Sequence, residues 1–485
     1  MNDTPSKDMS PVELTATKGS QHAVDVAEIF VDPVIEKRAI RKFDTLVLPQ
    51  MAIIMLIGYL DRANIGNAVV FGLSTDLNLV GRQFNDVVMI FYVTYIVFDI
   101  PWVMCVKRFG GHKVLVVAML GWSIVTLGTG FIQNYGQAIA VRLLLGLFEA
   151  GLLCCLTFLI SMIYSREQQA RRVGVLYYAV TCSGAFGGLI AYGIQSMGSR
   201  LGIAAWRWLF IIEGAVSIVV CSLGWLSLPK SAEEAWFLTQ EEREVMRARR
   251  ARDASYSGGN DFSWKYVSMA FSDIHVYVAA ICLFCASIPA TGFAVFLPTI
   301  LVGLGYTSLQ ANYLSIPVYA VATLVIIAVC TFSDKYRRRS YFLMCIPSVV
   351  IIGYIIIIAT SNGAAGYFAM FMVGSGIYPF NCLLLTWVSN NFAPDYKRSV
   401  ALPLFASISA TSGLVSAVIY PATDRPRYIK GNAVSLGMEV LAFVGILAIY
   451  FILKSRNNKK AEMLALGATE NGKSGDKGLH FQYTM

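Results

Sequence analysis

The chain has 485 residues, of which 56% are hydrophobic and only 14% charged, where soluble proteins average about 25% charged. That deficit excludes an ordinary soluble enzyme, a secreted disulfide scaffold and a disordered chain. A net charge of +9 could suggest nucleic acid, but the basic residues sit at the ends of long apolar runs and form no groove-sized patch. The expected partner is the lipid bilayer, with no nucleic acid.

In chain order, residues 1–43 are polar and lack an apolar stretch ending in a small-residue cleavage site, so a disordered cytoplasmic tail is expected rather than a signal peptide. A membrane helix needs about 20 mainly apolar residues. Such runs occur at roughly 45–68, 84–106, 114–132, 136–160, 173–197, 208–228, 274–301, 310–333, 341–360, 365–389, 399–421 and 433–454. They are too long and too uniformly apolar for the alternating strands of a barrel. The expectation is an all-α membrane protein of twelve transmembrane helices. Six form an N-terminal half (44–229) and six a C-terminal half (273–454), joined by a cytoplasmic linker (230–272) and followed by a cytoplasmic tail (455–485).

Lys and Arg set the orientation. With the N-terminus inside, the inner flanks hold Lys37, Arg38, Arg41, Lys42, Lys107, Arg108, Lys113, Arg166, Arg171, Arg172, Lys335 and Arg337 to Arg339. The outer loops hold few, among them Arg82, Arg200 and Arg207. Both termini are therefore expected in the cytoplasm. In the linker, Thr239-Gln-Glu-Glu242 reads as a capping box opening an amphipathic helix that ends in Arg249, Arg250 and Arg252. That helix could lie on the membrane surface or serve as a plain connector. The cysteines fall in or beside spans, so no structural disulfide is expected, and Cys282 and Cys285 read as packed small residues. No cofactor or metal site is indicated.

A basic turn, Lys107-Arg-Phe-Gly-Gly-His-Lys113, follows the second run, and Asp334-Lys-Tyr-Arg-Arg-Arg339 follows the eighth. Each occupies the same place in its half. The second resembles the G-x-x-x-D-R-x-G-R-R signature of the major facilitator superfamily; the first departs from it, with Lys107 where Asp is usual. The resemblance implies two six-helix halves with a substrate site between them near mid-membrane. Lys107, Arg108, Asp334 and Arg338 read as gating and topology residues. Asp99, ahead of Ile-Pro101, reads as a gate or a partner for loop cations.

An ionisable residue inside a span is costly unless paired or hydrated. The candidates are Asp61 and Arg62 in span 1, Asp99 in span 2, Arg142 and Glu149 in span 4, Glu213 in span 6 and Glu439 in span 12. Asp61, Arg62, Arg142 and Glu149 fall at compatible depths. Arg142 and Glu149 lie two turns apart on one face, about 10 Å along the axis, suited to lining one cavity. A permanently charged guanidinium grips a carboxylate through paired hydrogen bonds, while buried carboxyls can load and release protons. The combination describes proton-coupled anion transport. The competing reading, a salt-bridge brace between spans 1 and 4, is weakened because buried ion pairs are poor stabilisers.

Tyr59-Leu-Asp-Arg-Ala-Asn-Ile-Gly66 and Arg142-Leu-Leu-Leu-Gly-Leu-Phe-Glu-Ala-Gly151 resemble the span 1 and span 4 signatures of the anion:cation symporter family. Trp206-Arg-Trp-Leu-Phe-Ile-Ile-Glu-Gly214, Phe237-Leu-Thr-Gln-Glu-Glu-Arg243 and Tyr420-Pro-Ala-Thr-Asp-Arg-Pro-Arg-Tyr428 narrow the resemblance to a fungal branch similar to allantoate permease. Members of that branch take up allantoate, nicotinate, pantothenate or biotin. The resemblance implies that Arg62 and Arg142 hold the substrate carboxylate. It also implies that Asp61 and Glu149 couple protons, with Glu149 the principal carrier. Where this branch is expected to carry Asn in span 11, the chain reads Thr411-Ser412.

The C-terminal half must supply an uncharged cavity wall. Candidates are Phe293, Phe296, Tyr319, Tyr378, Asn381, Trp387, Ser409 and Thr411, with Asn381 the best of them because it follows Pro379. Tyr92 and Tyr95 could face the cavity from span 2. The expected function is proton-coupled uptake of a small organic anion, such as a carboxylate vitamin, ureide or sugar acid, across the plasma membrane by a monomer. Proton-driven export of a metabolite or toxin, or a non-transporting nutrient sensor, are the alternatives. No nucleophile–base arrangement or phosphate loop suggests an enzyme.

Overall fold

The computed structural model describes residues 32–164, 166–229, 231–256, 271–336, 338–392, 395–424, 427–466, 478–479 and 481–484. Helix dominates because lipid offers no partner to backbone N–H and C=O groups, so each segment must satisfy its own. The helices are α1 (Pro33–Val70), the short α2 (Leu73–Asp76), α3 (Gln83–Phe109), α4 (Gly111–Thr129), α5 (Tyr135–Glu149), α6 (Leu152–Ile163), α7 (Arg166–Met197) and α8 (Ala205–Ser227). They continue with α9 (Gln240–Tyr256), α10 (Ile274–Gly303), α11 (Ser308–Tyr336), α12 (Arg339–Ala359), α13 (Gly363–Asn390), α14 (Asp395–Ala410), α15 (Ser412–Ile419) and α16 (Ile429–Ala465). Among the described residues, 10 helices are long and apolar enough to cross a membrane.

The runs at 136–160 and 399–421, expected as continuous spans, are each divided into two shorter helices. Run 136–160 divides into α5 and α6, because Ala150 is extended (φ −55, ψ 137) and Gly151 takes φ +72, a left-handed value that suits glycine. Run 399–421 divides into α14 and α15 at Thr411, whose hydroxyl turns back to the Ile408 carbonyl at 2.6 Å. The first break follows Glu149 directly.

The linker helix α9 opens with the expected capping box: the Glu242 N–H donates to Thr239 Oγ1 at 3.4 Å, and the Thr239 N–H donates to Glu242 Oε2 at 2.9 Å. It docks on the start of α1 through Lys42–Glu242 (2.6 Å) and Arg249–Glu36 (3.4 Å), beneath an edge-on Phe43–Phe237 contact. Burial alone would favour the neutral acid at Glu242. The Lys42 ammonium and the Thr239 amide outweigh it and hold the carboxyl below the usual range. This marks the linker end of the helix bundle; the opposite end is the far end.

The stretch 455–485, expected as a tail, is ordered at both of its ends. The last helix runs on to Ala465, and the extreme C-terminus folds back onto the bundle. Trp387 Nε1 and Asn391 Nδ2 donate to the Thr484 carbonyl (2.8 and 3.2 Å), while Asn391 Oδ1 accepts from the Thr484 N–H (2.8 Å). Asn457 makes a matching pair with the Tyr483 backbone (2.9 and 3.0 Å), and the Tyr483 side chain is buried. Two asparagines thus read this peptide as a neighbouring strand would. The N-terminal tail is also shorter than expected, since α1 begins at Pro33; residues 1–31 lie outside the described residues.

Candidate functional site

Helices α1, α3, α6, α7, α10, α11, α13, α14 and α15 surround a cavity of about 200 Å³. Its wall is aromatic: Tyr59, Tyr92, Tyr95, Tyr177, Tyr319 and Tyr378 all line it. Arg62 supplies positive charge to this wall. Its Nε and Nη2 donate to Glu149 Oε2 at 3.3 and 3.0 Å, and its guanidinium carbon lies 4.6, 5.0 and 4.7 Å from the ring centroids of Tyr59, Phe91 and Tyr95. A guanidinium carries five N–H donors. Glu149 occupies two of its nitrogens on one edge, which leaves donors for a second anion. The pair is desolvated, with side-chain exposures of 14% and 0%.

The structure divides the four charges that sequence reasoning assigned to one cavity. Asp61, Arg142 and Glu149 are buried and do not reach the cavity wall. Adjacent residues on a helix point about 100° apart. With Arg62 turned to the cavity, Asp61 faces the bundle interior, toward Thr126 of α4 and Ser217 and Glu213 of α8. Arg142 is 3% exposed and stands within electrostatic reach of Glu149, Tyr92 and Asp61. It forms a layer behind Arg62 and Glu149.

On the opposite wall, Tyr378 and Asn381 line the cavity as expected. The Asn381 Oδ1 is buried with no hydrogen-bond partner among the described residues. Ser409 also lines it, with its hydroxyl 2.9 Å from that of Ser287. Phe293, Phe296 and Trp387 do not. Phe293 packs edge-on against Tyr319, Phe296 stacks on Tyr420 at 4.8 Å, and Trp387 holds the C-terminal peptide. On α10 the cavity face is instead Ser287, Ala290, Thr291 and Ala294. Their spacing of three and four residues marks one helix face, and small side chains leave the volume open. The break at Thr411 presents Ser412, not Thr411, to the cavity.

The gating candidates do not converge. Asp99 lines the cavity and accepts from the Ser407 hydroxyl at 3.3 Å, joining α3 to α14. Arg108 lies over the Phe109 ring and Arg338 over the Tyr341 ring, both exposed. The side chains of Lys107 and Asp334 lie outside the described residues. At the far end the two walls meet closely. Asn85 donates to the carbonyls of Ala417 and Tyr420 (2.5 and 3.1 Å), and Asn312 donates to Gln195 Oε1 at 2.9 Å. Gly66 abuts the Val295 backbone and Gly413 abuts the Tyr92 ring, with no room for a Cβ at either. Toward the linker end a second cleft, about 360 Å³, opens beside Arg171, Tyr178 and Thr386.

A helical bundle whose central, tyrosine-lined cavity is sealed at one end describes a membrane transporter. The chain belongs to the major facilitator superfamily, whose sequence model matches residues 51–417. It is 38% identical over 463 residues to an uncharacterized transporter of Schizosaccharomyces pombe, covering 95% of this chain and 92% of that one. It is 34% identical over 433 residues to the high-affinity nicotinic acid transporter of Saccharomyces cerevisiae, covering 89% and 80%. Among solved structures, a bacterial homolog of the human lysosomal transporter Spinster, inward-facing and unoccupied, superposes with TM-score 0.64 at 15% identity, covering 87% of this chain and 97% of that one. The xylose transporter XylE from E. coli, partially occluded and inward open, superposes with TM-score 0.64 at 14% identity, covering 83% and 97%. At these identities the structures speak for the fold alone.

Proposed function

We propose that the chain is a proton-coupled symporter that takes up a small organic monocarboxylate, of the allantoate permease-like branch of the anion:cation symporters. In this reading it sits in the plasma membrane as a monomer with both termini cytoplasmic, the broken helices completing twelve spans in two halves, 44–229 and 273–454. The observation that carries it is Arg62, which faces the cavity with donors to spare while Glu149 holds its other edge. A substrate carboxylate reaching Arg62 competes with Glu149 for the guanidinium. A proton delivered to Glu149 removes that competitor, so proton and anion bind together. Loss of the proton restores the Arg62–Glu149 pair and expels the anion. Arg142, behind the pair, stabilises the carboxylates in the layer.

The tyrosine-lined wall suits a flat ring attached to the carboxylate, since ring faces recognise aromatic and planar groups. The nicotinic acid transporter among the relatives favours the same class, a carboxylate on a small aromatic ring. The test is a panel of labelled nicotinate, other carboxylate vitamins, ureides, sugar acids and short peptides, supplied to cells or proteoliposomes with and without an inward proton gradient. Uptake of at least one carboxylate should rise as the outside is acidified. Glu149→Gln should abolish pH-driven accumulation and keep substrate exchange. Normal accumulation by Glu149→Gln would remove Glu149 from the coupling step.

A further inference from the structure

Behind the cavity, Asp61, which the family resemblance assigns to proton coupling, meets Glu213, a residue that the transport reading does not use. Glu213 of α8 is 4% exposed and Asp61 of α1 is 1% exposed; all four of their carboxyl oxygens are buried, and neither acid forms an ion pair among the described residues. The hydroxyls of Thr126 on α4 and Ser217 on α8 are buried beside Asp61 and turned to donate to its carboxyl, which makes Asp61 the better carboxylate and Glu213 the better neutral acid of the two. The site is closely packed, because Gly214 brings α8 against the α4 backbone: a Cβ there would stand 2.5 Å from the Leu127 nitrogen. The charged groups in electrostatic contact with Asp61 are Glu213 from α8 and Glu149 and Arg142 from α5. Arg62, next to Asp61 in the chain, is bound to Glu149.

Charge balance decides what this cluster must contain. Asp61, Glu149 and Glu213 face two guanidiniums, Arg62 and Arg142, so the fully ionised network carries one uncompensated negative charge. An isolated ionised carboxylate in a low-dielectric interior costs far more than a folded protein can spare, and such a group takes up a proton instead. Glu149 is held by Arg62 and approached by Arg142. Among the described residues, Asp61 is the one charged group in electrostatic contact with Glu213. The missing proton therefore belongs on the Asp61–Glu213 side of the network.

We propose that Asp61 and Glu213 form a proton-binding carboxyl pair, separate from the substrate cavity, that holds one proton between them while the cavity is empty. One carboxyl is the neutral acid and the other the carboxylate. The pair connects the Glu149 layer to the interior of α4 and α8 and gives the coupling proton a resting place away from the anion. Arrival of a monoanion at Arg62 returns the network to a net negative charge, and the second proton this recruits is the one that Glu149 takes. Glu213 thereby becomes a member of the coupling machinery, a conclusion that rests on the proton-coupled reading above.

The experiment needs no substrate. Purified full-length protein in lipid nanodiscs is titrated by infrared difference spectroscopy, which reads the carbonyl stretch of a protonated carboxyl directly. Glu439 is also buried with no cation in contact among the described residues and contributes a protonated carboxyl of its own, so the titration is run in a Glu439→Gln reference, which should keep one such band at neutral pH that disappears on alkalinisation. Asp61→Asn and Glu213→Gln, which preserve side-chain shape, should each abolish the band or move its midpoint by at least one pH unit, whereas Glu149→Gln should keep it. If either variant fails to fold, the reciprocal variant and the reference titration still decide. No protonated carboxyl in the Glu439→Gln reference, a band unchanged when either pair substitution is added to it, or a band lost on adding Glu149→Gln overturns the pair. Because no ligand is added, a wrong substrate class or direction of transport leaves this readout untouched.

Discussion

The two walls of the cavity are built from different materials. On the α1, α3, α5 and α8 side the rings of Tyr59, Tyr92 and Tyr95 front an ionic stack: Arg62 at the surface, Glu149 and Arg142 behind it, Asp61 and Glu213 deeper still. On the α10, α11 and α13 side the cavity meets small residues, tyrosine rings and the amide of Asn381. Charges act over distance and tolerate little change in their surroundings, whereas shape and single hydrogen bonds act only on contact. In the proposed symport cycle the first wall holds the anion and counts protons, and the second selects which anion. This division allows substrate preference to change on one side without rebuilding the electrostatics of the other.

The most severe break of this division is Arg62→Ala. Deleting the guanidinium removes its charge-assisted bonds to the substrate carboxylate, ~1.5–3 kcal/mol, about 10- to 150-fold in affinity, and Glu149 escapes the cost of an orphaned buried charge by taking up a proton. Carboxylate uptake should fall to background, while the protein remains folded by size exclusion and thermal melting. Uptake persisting within about tenfold of wild type would place the anion elsewhere.

Next comes the seam at the far end. In Gly66→Ala the new methyl would collide with the Val295 carbonyl, and overpacking of this kind costs ~1–3 kcal/mol. That is about 5- to 150-fold in the equilibrium between sealed and open far ends. Spin-label distances across the α1–α10 seam should shift toward the separated state, with slower net uptake. An unchanged distance distribution would mean that this contact is not part of the moving interface.

Asn381→Ala should be milder. Loss of one neutral hydrogen bond costs ~0.5–1.5 kcal/mol, about a two- to tenfold rise in KM for substrates that use it. The pH dependence of uptake should stay where it is. A shifted pH profile would show that the uncharged wall takes part in coupling.

Much of this was legible in the sequence and some was not, for identifiable reasons. Ionisable residues in apolar runs stand out, so Asp61, Arg62, Arg142, Glu149 and Glu213 could all be named from sequence. Their facing could not: neighbours such as Asp61 and Arg62 cannot both point into one cavity, and only the packing of α1 decides which does. Large aromatics on α10 invited the wrong reading, because a cavity wall is marked by what is absent, the small face of Ala290, Thr291 and Ala294. The interruption after Glu149 was signalled by Gly151, yet glycine is common in membrane helices and its φ is settled only by the fold. The docked C-terminus hid within a polar tail, where Phe481 and Tyr483 were the clue.

The smallest expected effect gives the comparison its sharpest control. Glu439 on α16 is as buried as Glu149, at 0% exposure, and both of its oxygens lack a partner. Its polar surroundings include Cys285 and Tyr354, and no cation is found in contact with it among the described residues. Burial alone therefore does not separate it from the coupling acids; the absence of nearby guanidiniums does. If the ionic wall alone senses protons, Glu439→Gln should leave the pH profile of uptake unchanged. Replacing a buried acid by its neutral isostere should also leave the melting temperature equal or slightly higher. A displaced pH profile in this variant would instead make the C-terminal wall a second site of proton coupling, and the division of labour between the two walls would have to be abandoned.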